Sequence, residues 1–221
     1  MFKIIKIKFL IVMFIILFYY SLEGKAESDI INNRINMFLS IDDKASANNL
    51  IEIIKVLNSD IINKDRVVDK VFYGYANVFM ADIYNKNKSY SKAAETIKRA
   101  FFYIDESVES NKNKWTLIYL RLRMDAFVPS YLGRCNIAVE DSEKLLSSKD
   151  INPNLFIMIE YMYARALYSC KEYSKSKTIM NKVIKEGEIG KEIASYGYDR
   201  VPPWLNVEKI LIIMPLMLEG Y

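Results

Sequence analysis

From about residue 30 onward, apolar residues recur at steps of three and four, the spacing of one helix face. Ile30, Ile31, Ile35, Phe38 and Leu39 form the first run, and Leu50, Ile53, Ile54 and Leu57 the second. Asp42 or Asp43 is placed to cap the second helix, and Asn58-Ser59-Asp60 to end it. A third helix is predicted from Val67 to Asn85, with Val71, Tyr75, Val78, Phe79 and Ile83 on its apolar side. Polar residues Asn85 to Ser89 then turn into a fourth, Tyr90 to Tyr103, and the charged run Glu106 to Lys114 reads as a loop. The pattern resumes from Trp115 to Phe127, stops at Pro129, restarts after Gly133 to about Leu146, and breaks at Asn152-Pro153. Leu155 to Tyr168 and Ser174 to Lys185 form a further pair. Gly187, Gly190 and Gly197 are expected to loosen the chain, Pro202-Pro203 to start a last helix at Trp204, and Pro215 to kink or end it. No stretch alternates with the period of a strand. The pattern predicts an all-α protein.

The first residues follow a different rule. Lys3, Lys6 and Lys8 precede an uninterrupted apolar run, Phe9 to Tyr20, and Gly24-Lys25-Ala26 puts small residues where a signal peptidase needs them. Residues 1–26 therefore read as a secretion signal, with the mature chain, 27–221, starting at Glu27 and exported to a periplasmic or external compartment. The alternative is an inner-membrane anchor formed by residues 9–20. That run is shorter than the roughly 20 residues needed to span a bilayer.

Charge changes the picture little. Four of the 31 basic residues and one of the 27 acidic ones lie in the leader, so the mature chain has 27 basic residues against 26 acidic. Such a body lacks the positive field that nucleic acid requires, and no nucleic-acid partner is expected. Histidine is absent altogether. That removes the commonest general base, the usual hydrolytic triads and most zinc sites, so neither an enzyme nor a cofactor or metal is expected.

Within this helical string, Gly74 to Asp105 resembles a tetratricopeptide repeat. Ala81 and Tyr84 match that family's small and aromatic positions on the first helix. Tyr90, Ala93, Ile97 and Ala100 match those of the second. The same twelve-residue spacing returns at Ala126 and Ala138, with Gly133 in the turn, and at Ala164 and Ser176, with Tyr173 matching Tyr90. The registers are offset by 45 and 38 residues where the family has 34. Asn77, Leu122 and Glu160 stand at the large fourth position, and Pro129 at the site of Tyr84. The resemblance implies a short α-solenoid of antiparallel helix pairs, with repeats at 74–105, 119–150 and 157–188 and a capping helix within 198–221. It also implies a scaffold or adaptor that binds another protein or peptide segment through a concave face. On that face the first helix of each pair would present Tyr75, Val78, Asp82 and Asn85, then Leu120, Arg123, Phe127 and Ser130, then Met158, Tyr161, Arg165 and Tyr168. The same rings, at helical spacing, also suit a packed core. An envelope scaffold and an immunity protein masking a toxin are both served by such a surface. The alternative is a carboxylate-dependent hydrolase of cell-wall glycans, which needs two acids across one cleft.

Three further groups bear on chemistry. Cys135 and Cys170 fall in the turns of the second and third pairs; neighbouring turns stand about 10 Å apart, beyond a relaxed disulfide unless the connectors bend inward. Glu140, Asp141 and Glu143 read as a solvated helix face. The tail from Gly197 through Pro202-Pro203-Trp204 reads as a cap, or as a binding edge bearing Tyr198, Arg200 and Trp204.

Overall fold

The computed structural model describes residues 29–218; the leader, with its expected cleavage site or anchor, lies outside them. The chain divides into two compact units, Met1–Ser40 and Ile41–Tyr221. In the first, residues 29–39 form helix α1, where the Arg34 guanidinium lies 5.5 Å from the centre of the Phe38 ring. No helix among the described residues is long and apolar enough to cross a membrane.

The second unit is all-helical among its described residues. Its elements are α2 (Ala47–Lys64), α3 (Val67–Lys86), α4 (Tyr90–Glu109), α5 (Trp115–Asp125), α6 (Cys135–Ser147), α7 (Phe156–Ser169), α8 (Tyr173–Lys185) and α9 (Gly187–Ala194). A terminal helix, α10, spans residues 206–218. It joins an α-helical turn Asn206–Glu208, a π-helical stretch Lys209–Ile213 and a last turn Met214–Leu218.

Several boundaries differ from the sequence pattern, each for a local reason. Ser46 caps α2 through its side chain, which accepts from the Asn49 N–H at 3.2 Å, so the two aspartates are not needed. The polar run at Asn58 does not end α2; the helix stops at Asp65, which takes a left-handed conformation, φ 48°. Helix α4 continues to Glu109 because Ser107 and Val108 are buried. Residues 187–194 are helical, and Gly190 is required there: a Cβ would sit 2.0 Å from the Val183 carbonyl oxygen. The final helix starts at Asn206, two residues beyond the expected Trp204. Pro215 does not end it, and the π-helical stretch widens the turn that the proline ring would otherwise crowd.

Helices α3/α4, α5/α6 and α7/α8 pack as pairs. In each, the first helix is buried nearly all round, and the second is amphipathic. Of the expected small residues, Ala81, Ala100, Ala126, Ala138, Ala164 and Ser176 are buried, whereas Ala93 is half-buried. The Ser176 hydroxyl donates to the Ala164 carbonyl at 2.7 Å. At Gly74 the α3 and α4 backbones approach so closely that a Cβ would lie 2.9 Å from the Ala100 carbonyl and 2.5 Å from Ile104.

The pairs repeat in space with the 45- and 38-residue offsets. The Tyr75 hydroxyl donates to the Leu120 carbonyl, one offset away. Arg165 lies 4.4 Å over the ring of Phe127, the next offset. Equivalent positions thus meet across α3, α5 and α7, so these helices run parallel and all three turns share one edge. Each turn uses the same device. Lys88, Gly133 and Lys171, at equivalent positions, take φ of 59°, 73° and 67°. Their N–H groups donate to the carbonyls of Asn85, Ser130 and Tyr168 at 2.9, 3.1 and 3.0 Å.

Candidate functional site

The inner helices α3, α5 and α7 bring Tyr75, Arg123, Phe127, Tyr161 and Arg165 together as the repeat register requires, but not on an open face. Residues 196–208 of the same chain cover them. The Arg123 guanidinium pairs with the Glu208 carboxylate at 2.9 Å, donates to the Pro202 carbonyl at 2.9 Å and stacks 4.1 Å from the centre of the Trp204 ring. The Tyr161 hydroxyl donates to the Gly197 carbonyl at 2.7 Å, and Arg165 donates to those of Arg200 at 3.1 Å and Ala126 at 3.3 Å. Glu208 closes the arrangement by accepting from the Tyr119 hydroxyl and from the Leu205 N–H, both at 2.7 Å.

The covered face is therefore core. Tyr75, Arg123, Tyr161 and Arg165 are buried, and Phe127 is half-buried. Burial pushes the phenols of Tyr75, Tyr119 and Tyr161 above the usual tyrosine range and pulls Arg165 below the usual arginine range. The expectation that Tyr75, Arg123, Tyr161 and Arg165 line an accessible surface is corrected on this ground. The tail was expected to close the last helix pair; it also reaches across α7 to α5. Ile212, Ile213, Leu216 and Met217 are buried in doing so, while Ile210, Met214 and Leu218 face outward.

Val78, Leu120 and Met158, expected on the same face, are buried in the core as well, whereas Asp82, Asn85, Ser130 and Tyr168 are exposed. Asp82 pairs with Lys86 at 2.6 Å, one turn on, and Asn85 lies at the end of α3. Tyr168 ends α7 and stacks on Tyr198 of the tail, ring centres 4.1 Å apart and planes at 11°. Tyr173 meets Tyr168 edge-on at 5.1 Å, and Lys177 completes the lining of a shallow pocket with these three rings. Tyr90 and Tyr131 are also exposed at their turns. Of these, Tyr173 was legible through its match to Tyr90, whereas nothing in the helical period singles out Lys177.

The carboxylates are committed elsewhere. Arg121 grips Asp141 with two 2.8 Å bonds and reaches Glu109 at 3.1 Å. Arg134 bonds Asp125 at 2.9 and 2.8 Å and Asp105 at 2.8 and 2.6 Å, beneath the ring of Phe101. Asp141, expected on a solvated face, is instead buried against Arg121. Burial raises the Asp125 carboxyl to about 7 against the pull of Arg134, and raises Asp141 as well. Asp105, Glu109, Asp125 and Asp141 each have an arginine partner within the protein. No cluster of three or more metal-ligating side chains occurs among the described residues.

Cys135 and Cys170 are bonded to each other, with Cα atoms 5.5 Å apart. The second and third turns approach far more closely than uniform helix spacing predicts, which corrects the distance expected from the sequence. The bond ties the start of α6 to the end of α7, on the edge that carries Tyr131, Tyr168 and Tyr173.

Comparison with protein-family models, with curated proteins and with solved structures gave no match to this chain. The fold and its surfaces therefore define it as an all-α protein of paired helices whose inner face is closed by its own carboxy-terminal segment.

Proposed function

We propose that the mature chain is an exported protein-binding module, and that it binds through the edge formed by the helix–turn–helix connections. The observation that carries this reading is the aromatic cluster at the last turn. Tyr168 and Tyr173 are 43% and 56% exposed, yet their rings are held by stacking on each other and on Tyr198. Rigid tyrosines give large contact area at little conformational cost, which is why they recur in protein-binding surfaces. The inner face offers no such surface, since the tail fills it. Export is supported by the leader and by the disulfide, because such bonds persist in oxidising compartments.

The reading makes binding independent of any titratable catalytic group. Copurification of the mature chain from the envelope of its own cells identifies a partner, and calorimetry with the two purified proteins then measures the affinity. The expected outcome is a saturable complex that Tyr168→Ala weakens by more than 1 kcal/mol in a chain that still unfolds in one cooperative transition. A mature chain recovered alone, or a partner whose affinity ignores this edge, overturns the reading.

A further inference from the structure

The turn edge also constrains what binds it. The pocket between Tyr168, Tyr173 and Tyr198 has apolar ring walls and a single ammonium, that of Lys177, in its lining. Its geometry is set from below. The Ser176 hydroxyl, bonded to Ala164, lies 3.1 Å from the Tyr198 hydroxyl, which fixes the tail tyrosine where it stacks on Tyr168. The pocket is thus a joint between α7, α8 and the tail.

Its electrostatics are one-sided. In the turn and first turns of α8, Lys171, Lys175 and Lys177 face one acid, Glu172, and Glu172 already pairs with Lys175 at 3.3 Å. Asp199 and Arg200, which follow Tyr198, add no net formal charge. The charge left around the rings is positive. The first turn carries Lys86, Lys88 and Lys92 beside Tyr84 and Tyr90; Lys86 pairs with Asp82 at 2.6 Å, and Lys92 stands 5.9 Å from the centre of the Tyr84 ring.

Resting on the protein-binding reading above, we propose that this pocket docks an acidic protein segment. One apolar side chain packs against the ring walls of the pocket, and flanking carboxylates meet Lys177 and Lys171. Protein is favoured over nucleic acid because the mature chain as a whole is nearly neutral, so attraction is confined to the turns. The local charges steer the segment, while the rings supply the buried contact.

The test uses the mature chain with its disulfide intact, labelled with 3-fluorotyrosine, and two synthetic peptides, Ser-Glu-Asp-Trp-Asp-Glu-Ser and its counterpart with lysine at each acidic position. Fluorine signals of Tyr168, Tyr173 and Tyr198, assigned by single Tyr→Phe variants, are followed at up to millimolar peptide. The expected result is that these three signals move with the acidic peptide, weaken at least fivefold in affinity on Lys177→Glu, and stay still with the basic one. Lys177 is exposed, so this substitution should leave the melting temperature unchanged. Absence of shifts, equal shifts with both peptides, or shifts abolished by Ile210→Ser on the outer stripe of α10 each overturn the pocket assignment. The two readings fail separately: a partner copurified from the envelope whose affinity falls with Tyr168→Ala but ignores Lys177→Glu overturns the acidic segment alone.

Discussion

Arg121 and Arg123 are two positions apart on α5 and point to opposite sides, each into a buried carboxylate: Asp141 on one side, Glu208 on the other. A buried charge is tolerable only when paired, and removing one member strands the other. Arg134 plays the same part for Asp125 and Asp105. Burial raises Asp125 from 3.8 to about 7, so the folded state holds this proton more tightly than the unfolded state does. The stability it contributes is complete below about pH 4 and is lost as pH rises through about 7. Asn mimics the protonated acid, so wild type should lose melting temperature relative to Asp125→Asn between pH 5 and pH 8. A gap that moves the other way would mean that Arg134 holds the carboxyl down. Gly74 gives a second residue-scale prediction. Alanine favours a helix by up to about 1 kcal/mol, but its Cβ would meet Ile104 and the Ala100 carbonyl, and overpacking costs about 1–3 kcal/mol. Gly74→Ala should therefore lower stability, read as an earlier denaturant midpoint; a later one would show that α3 and α4 can separate without loss.

Element boundaries were legible wherever a backbone requirement was written into one residue. Gly133 marks its turn, and Asn152-Pro153 marks the break before α7, where Asn152 accepts from the Asn154 N–H at 3.0 Å. They were illegible where burial overrode polarity, as at Ser107 in α4, or where a polar run such as Asn58-Ser59-Asp60 was simply solvated helix. The disulfide was misjudged because uniform helix spacing ignores how far a connector folds inward. Closing a 35-residue separation, it should contribute about 2–4 kcal/mol by restricting the unfolded chain. Cys135→Ser with Cys170→Ser should lower the unfolding free energy by that amount, and the wild-type mature chain should take up no thiol reagent until unfolded under reducing conditions. Free thiol in the exported protein would remove both the constraint and its support for an oxidising compartment.

At the scale of the whole second unit, three helix pairs stack with equivalent positions in contact, and the chain's own tail occupies the face such a stack leaves open. The register was readable in the sequence: Phe127 and Arg165 meet as the 38-residue offset demands. What covers them was not, because helical spacing gives the direction of a side chain and not its neighbour. Arginine and tyrosine on one face read equally well as an exposed binding surface and as a polar seat for Gly197 to Glu208. The tail made the second reading available through Pro202-Pro203-Trp204, which fixes an extended approach to α10, but a sequence does not show how far a cap reaches.

The inner face is core, closed by the tail. The most direct measurement is a double-mutant cycle between Arg123→Met and Glu208→Gln, residues 85 positions apart that share a buried 2.9 Å ion pair. Chemical denaturation of the wild type, both single variants and the double variant isolates their coupling. Each single variant should lose about 3 kcal/mol or more, because it strands a buried partner, and the double variant clearly less than the sum. Additive losses within about 0.5 kcal/mol would mean that the tail does not lie on α5, and the inner face would then be open as the helical pattern alone suggests.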